Sequence, residues 1–303
     1  MSKYSENMPP RIKDAIGWMY DEIQPGSTLL DVGCSTGYFG QYIAEHKKCV
    51  VDGIEMSDDR RQAAKVLHKV FSFDLDGEWP KELNIKYDNI FLGDIIEHLK
   101  NPAHTLLNVK KLLKPNGKVF ISTPNISHMS IRIELLGGNF EYESMGILDN
   151  THLKYFTLTS LKRLVAETGY TLESVGYSLN DYPRSVIKKL LDRSGLKATD
   201  KFWKITESRE AQTYQYKLIL SKTPSNKNPV YVEIPQKPEQ LRDGIISDLR
   251  NQFKALDEHA HKQAVMIDEL AQQVENLRHG RSVKNLIKKI LRRLHIYDKE
   301  GRR

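Results

Sequence analysis

The chain has 303 residues, with 46 Lys and Arg against 39 Asp and Glu, a net charge of +7 and only two cysteines. That is too long for one ordinary domain, Cys34 and Cys49 fit neither a metal spacing nor a disulfide framework, and no apolar run reaches the ~18 residues a membrane-spanning helix needs. The charge is local: residues 281–303 carry nine basic and two acidic side chains, so the first 280 residues are balanced and a broadly basic, nucleic-acid-binding body is excluded.

The N-terminal stretch MSKYSENMPPRIKD is polar and lacks the apolar core of a signal peptide, so a reducing, cytoplasmic setting is expected. Residues 11–23 read as a helix, followed by a strand at TLLDVGC and a helix over 37–47. A strand over 49–56, a helix over 58–68 and strands over 69–76 and 87–96 come next. A helix over 102–113 starts at Pro102 and stops at KPNG, before a strand over 118–125. Apolar strands alternating with helices imply a parallel sheet covered on both faces. Residues 126–156 are less regular. FTLTSLKRLVAETGY then reads as a helix capped by Thr157 and stopped at Gly169. Two further strands, TLESVGYSL and QTYQYKLILSK, flank a long insertion at 181–210.

The composition changes at residue 223. Residues 223–241 are proline-rich and read as a linker. From Ile246 to Leu277 the apolar residues recur at alternating spacings of three and four, with Gln263 the one polar exception, so 242–280 reads as a coiled coil that joins copies of the chain. In 281–303, Val283, Leu286, Ile287, Ile290, Leu291 and Leu294 fall on one helical face and Lys or Arg on the other, the pattern of a helix lying on an anionic membrane surface.

The chemistry gathers where strands end. DVGCSTG (31–37) puts Asp31, Gly33, Ser35 and Gly37 at the first strand-to-helix turn, where glycines allow close backbone approach and the helix offers free N–H groups. Ser35 stands where a dinucleotide fingerprint would have its second glycine. Glu55, about twenty residues on, ends the second strand and is placed to accept hydrogen bonds from ribose hydroxyls. FDLDG offers Asp74 at the end of the third strand, LGDIIEHL ends the fourth and STPN the fifth.

As an ordered set, LLDVGCSTG, GIEMS, FDLD, YDNIFLGDIIEHLKNP and LLKPNGKVFISTPN resemble the class I S-adenosylmethionine-dependent methyltransferases over residues 1–222. The likeness is to the ubiquinone-biosynthesis type, and more closely, through DNTHLKYFTLTSL, to bacterial methyltransferases that accompany surface-polysaccharide synthesis. It implies a Rossmann-like, seven-stranded, mostly parallel α/β sheet with 126–156 and 181–210 as substrate caps. It also implies that Asp31, Gly33 and Gly37, with Ser35 in the loop, hold the methionine part of S-adenosylmethionine. Glu55 then takes the ribose, Met56 packs on the adenine, Asp74 and Leu75 meet its edge, and Gly93 and Asp94 line the pocket beside the sulfonium.

Three histidines are candidates for the base that methyl transfer to a hydroxyl calls for. His152 comes first, with Asp149 near enough to orient it or merely cap a turn. His98, in IIEHL, comes next and His128 last. No metal constellation stands out, because Asp94, Glu97 and His98 on a strand-to-helix junction are expected to diverge. The expected activity is methylation of a hydroxyl on a cell-surface glycan or its lipid-linked precursor. The alternatives are a quinone-type or other aromatic small molecule, and a cofactor-binding scaffold that positions partners through its coiled coil. The expected place is the cytoplasm, on the inner membrane face.

Overall fold

The computed structural model describes residues 15–180, 183–193 and 195–234. The chain divides into two units, Met1–Lys237 and Pro238–Arg303, and every described residue belongs to the first. The expected coiled coil and basic helix lie outside the described residues.

Among the described residues one mixed sheet forms, with strands in the order β3-β2-β1-β4-β5-β7-β6-β8. β1 (Thr28–Val32), β2 (Val50–Ile54), β3 (Lys69–Phe71), β4 (Tyr87–Gly93) and β5 (Leu113–Pro124) run parallel. β7 (Thr213–Ser221) is antiparallel to both β5 and β6 (Thr171–Leu179). The inner strands are mostly apolar because both faces are covered, with polar residues such as Asp31 and Asn89 as exceptions. On one face Leu30, Ile90 and Val119 pack with Leu106 and Leu161. These last two come from α4 (Pro102–Leu112) and α6 (Leu158–Glu167). On the other face Leu29, Phe91 and Phe120 meet Met19, Phe39 and Ala63, which belong to α1 (Ala15–Glu22), α2 (Tyr38–Lys47) and α3 (Arg60–Val66).

Helix starts follow the local chemistry. Asn101 accepts a hydrogen bond from the His104 N–H at 3.2 Å with Pro102 beside it, and Thr157 with Ser160 forms a capping box. The irregular segment 126–156 contains α5 (Met129–Leu136), and 181–210 contains α7 (Arg184–Arg193), α8 (Asp200–Thr206) and α9 (Arg209–Gln212). Met129 and Ile133 of α5 pack with Ile187 and Leu191 of α7 to form a small separate core.

Two expectations are corrected. The third strand stops at Phe71 rather than 76, because Asp74 Oδ1 accepts from the Asp76 N–H at 2.9 Å and the Gly77 N–H bonds back to the Asp74 carbonyl, making a turn. The sheet has eight strands, not seven: β8 (Val230–Ile234) lies inside the expected linker and runs parallel to β6, with Ser174 opposite Val230 and Ser178 opposite Ile234. Flanking prolines made it read as linker, yet prolines are tolerated at a sheet edge. The Arg209 guanidinium also pairs with Glu233 at 2.7 Å. Truncation after residue 237 is therefore expected to keep the melting temperature of the unit, and truncation after 222 to lower it by about 5 °C or more. Calorimetric scans showing equal values would mean that β8 adds no stability.

Candidate active site

The strand order reverses between β1 and β4, which opens a crevice at their carboxyl ends. Gly33 and Gly37, at the turn after β1, have φ of +76° and +84°. A Cβ on Gly37 would lie 3.0 Å from the Ala63 backbone, so the turn requires glycine there. Ser35 adopts a left-handed φ of +47° without being glycine. The Glu55 carboxylate holds it, accepting from the Ser35 N–H at 2.8 Å through Oε2 and from the Ser57 N–H at 2.8 Å through Oε1. Ser35 Oγ also donates to Asp59 at 3.0 Å. Each Glu55 oxygen keeps a second lone pair for a ligand.

Asp31 is buried, and its Oδ2 has no hydrogen-bond partner. Burial, then the nearby Glu55 charge, pushes its carboxyl up to about 7, while the Gly40 backbone amide pulls the other way. An ionised carboxylate so placed calls for a cation. Across the crevice, Asp94 has a φ of +53°, held by its N–H on Ser122 Oγ at 3.0 Å and by Ser122 Oγ donating back to Oδ1 at 2.9 Å.

A 3-10 turn at Ile96–His98 follows β4. It aims Glu97 into the protein, where Oε2 accepts from Thr123 Oγ1 at 3.1 Å and Oε1 has no partner. Burial first, and the Asp94 charge second, raise the Glu97 carboxyl well above its ordinary value. The Glu97 carbonyl accepts from the N–H groups of Leu153 and Lys154 at 2.8 and 2.9 Å, drawing the 149–156 stretch over the site. His152, 9 % exposed, then meets His98 edge to face with ring centroids 4.8 Å apart. His152 Nδ1 lies 3.0 Å from the Ile147 carbonyl oxygen. A carbonyl only accepts, so Nδ1 carries a proton, and in the neutral ring Nε2 is then the acceptor. His98 Nδ1 lies 3.2 Å from the Thr151 carbonyl, and burial, with His152 next, lowers its pKa.

A family model described as a methyltransferase domain matches residues 4–175, more than half of the chain. The chain belongs to this methyltransferase family. Similar relatives include the ubiquinone biosynthesis O-methyltransferase of Nitrosospira multiformis, 28 % identical over 51 % of this chain and 67 % of the relative. That of Leptothrix cholodnii is 26 % identical over 48 % of this chain and 65 % of the relative. The chain thus spans about two thirds of the length of these relatives. A solved S-adenosylmethionine-dependent methyltransferase from Archaeoglobus fulgidus is similar at a TM-score of 0.46 and 15 % identity, covering 68 % of this chain and 89 % of that one. At that level the likeness carries no argument of its own.

S-adenosylmethionine is the cofactor that the sequence resemblance implies for this methyltransferase, and the residues present fit it. The unpartnered Asp31 oxygen suits the cofactor's ammonium group, the glycine turn leaves room for it, and Glu55 retains acceptor capacity for two ribose hydroxyls. Met56, 62 % exposed, offers a free thioether to an adenine face. Asp74 lies in a turn, and the adjacent Leu75 carbonyl accepts from Trp79 Nε1 and Thr105 Oγ1, both at 3.1 Å, which fixes the backbone there. Gly93 lies beside Phe91, whose ring a Cβ would strike at 2.5 Å.

Not every candidate landed as expected. Asp149 Oδ1 accepts from the Thr151 N–H at 2.9 Å and Thr151 Oγ1 at 2.6 Å, and Thr151 in turn touches His98, so the acid supports the turn under His98. His128 caps α5 and reaches the Asn180 carbonyl from Nε2 at 3.0 Å, and burial lowers its pKa to about 4, which is a structural role. Glu97 and His98 do not diverge. Together with His152 they bring donor atoms within 4.8 Å of one another, and among the described residues they are the group that could hold a cation. Sequence reasoning had weighed Glu97 only as a metal ligand and set it aside. Its signal was a carboxylate next to His98 at the end of a buried strand.

Proposed function

We propose that this methyltransferase acts on a hydroxyl of a small aromatic or quinone-type acceptor, with His152 as the base. The observation that carries the reading is a run of rings leading away from the base. His152 lies 6.3 Å from Tyr155, Tyr155 6.1 Å from Phe140, and Phe140 5.5 Å from Tyr142. Phe140 and Tyr142 are exposed, so they offer flat apolar surface to a flat ligand. The relatives named for ubiquinone biosynthesis support the same acceptor class. Neither is named for glycan methylation, so the small-molecule alternative takes precedence over the glycan expected from the sequence.

Bound S-adenosylmethionine supplies a methyl group on a sulfonium that departs as a neutral thioether. The chain's own residues then do three things. Asp31, Glu55 and the glycine turn fix the cofactor end, and alignment of this kind supplies up to about 7–11 kcal/mol of barrier reduction. His152 Nε2 would take the proton of the acceptor hydroxyl. The 149–156 stretch, tied to the Glu97 carbonyl, covers the histidines and limits water. Purified protein given a catechol and a sugar alcohol in competition is expected to methylate the catechol. Transfer to the sugar alone, read by mass spectrometry, would restore the glycan reading. Self-association through 242–280 and binding to anionic lipid through 281–303 are proposed from the sequence pattern. Light scattering and vesicle flotation on full-length and 1–237 protein check them, and equal behaviour of the two would remove both roles from the tail.

A further inference from the structure

The carboxylate of Asp94 is served by an arm that no cofactor contact explains. Lys217 lies in β7, opposite Ser122 of β5 and Gly176 of β6, and is 3 % exposed. A lysine ammonium this deep needs compensation. Its Nζ donates to Oε1 of Gln215, two residues back on the same strand and therefore on the same face. Gln215 Nε2 donates to Asp94 Oδ1. The two bonds require each other. Only an amide whose oxygen faces the lysine presents its N–H to the aspartate.

Asp94 has reason to need holding. Its φ of +53° is a conformation that a non-glycine residue keeps only when its surroundings enforce it. Ser122 and Gln215 both donate to Oδ1, and Oδ2 takes part in none of these bonds. Gly93, Ser122 and Lys217 stand in one row across β4, β5 and β7, so the antiparallel strand reaches the crevice directly.

We propose that Gln215 and Lys217 are positioning residues that lock Asp94 in its left-handed conformation, so that Oδ2 is presented to the cationic methionine and sulfonium end of the cofactor. This rests on the crevice being the cofactor site. The ammonium of Lys217 orients the Gln215 amide and offsets the negative charge at Asp94. Without the arm the aspartate side chain relaxes and the cofactor meets a less ordered wall.

Calorimetric titration of the full chain with S-adenosylmethionine, with no acceptor present, tests this without turnover and keeps the sulfonium charge in place. Lys217→Met and Gln215→Leu are each expected to weaken binding by about tenfold, the loss of one bond to a charged group. In an Asp94→Ala background, adding Lys217→Met is expected to change affinity by less than about twofold, because the arm then has nothing to position. A lysine with only a structural role would give the same loss in both backgrounds, and that additivity would overturn the proposal. Gln215 is half-buried, so Gln215→Leu reads the arm even if Lys217→Met fails to fold. Wild-type protein that does not bind the nucleoside would overturn the cofactor site and this proposal together. Wild-type protein that binds, with Gln215→Leu binding equally well, would overturn this proposal alone.

Discussion

Asp31→Asn is expected to make the cofactor-free protein more stable at pH 8 while weakening cofactor binding by about thirtyfold or more. The cause is a carboxyl held at about 7 against an ordinary 3.8. Because the folded value is the higher one, the native state favours the protonated form. The stability linked to that proton is fully present below pH ~4 and is lost as the pH rises through ~7. Above pH 7 wild-type protein therefore carries an ionised, buried carboxylate that costs on the order of 4 kcal/mol. Asparagine has no such penalty, so the variant should melt higher than wild type at pH 8 and the difference should disappear by pH 4. With S-adenosylmethionine bound, its ammonium compensates the charge in wild type, and the order of melting temperatures should reverse. Thermal scans at both pH values, with and without cofactor, check this. A variant that is less stable at pH 8 and binds the cofactor normally would show that Asp31 is an ordinary core acid.

His152→Ala is expected to lower kcat by about 10²–10⁴-fold and leave cofactor affinity within a few-fold, since a base acts on the acceptor in the transition state. His98→Ala should cost less, because His98 supports its partner ring and has a lowered pKa of its own. Initial rates at saturating cofactor decide the order. A crippled His98→Ala beside a near-normal His152→Ala would move the proton transfer to His98.

The residues proposed for the cofactor could be named from the sequence because they follow consecutive strand ends. Asp31, Gly33, Glu55 and Asp94 each come at the point where an apolar run stops, and a parallel sheet brings such points together whatever lies between them. The acceptor half was less legible because it depends on chain crossings. Glu97 meets His152 only because its carbonyl captures the N–H groups of residues 153 and 154, more than fifty positions away. Of the two roles open to Asp149 in the sequence, orienting a base or capping a turn, its bonds to Thr151 show the turn, and through Thr151 it also reaches His98. The Gln215–Lys217 arm is invisible in the sequence for the same reason: β7 comes late in the chain yet pairs with β5. β8 was missed because its alternating VYVEI lies between prolines. The local signal was present, but its partner strand was not evident.

If one crevice brings the cofactor's methyl group to the histidine pair, a crystal structure with S-adenosylhomocysteine and a catechol should show it. The ribose hydroxyls are expected on Glu55, the ammonium on Asp31, and the catechol oxygen between the cofactor sulfur and His152 Nε2. A nucleoside bound elsewhere, or a sulfur turned away from His98 and His152, would contradict it.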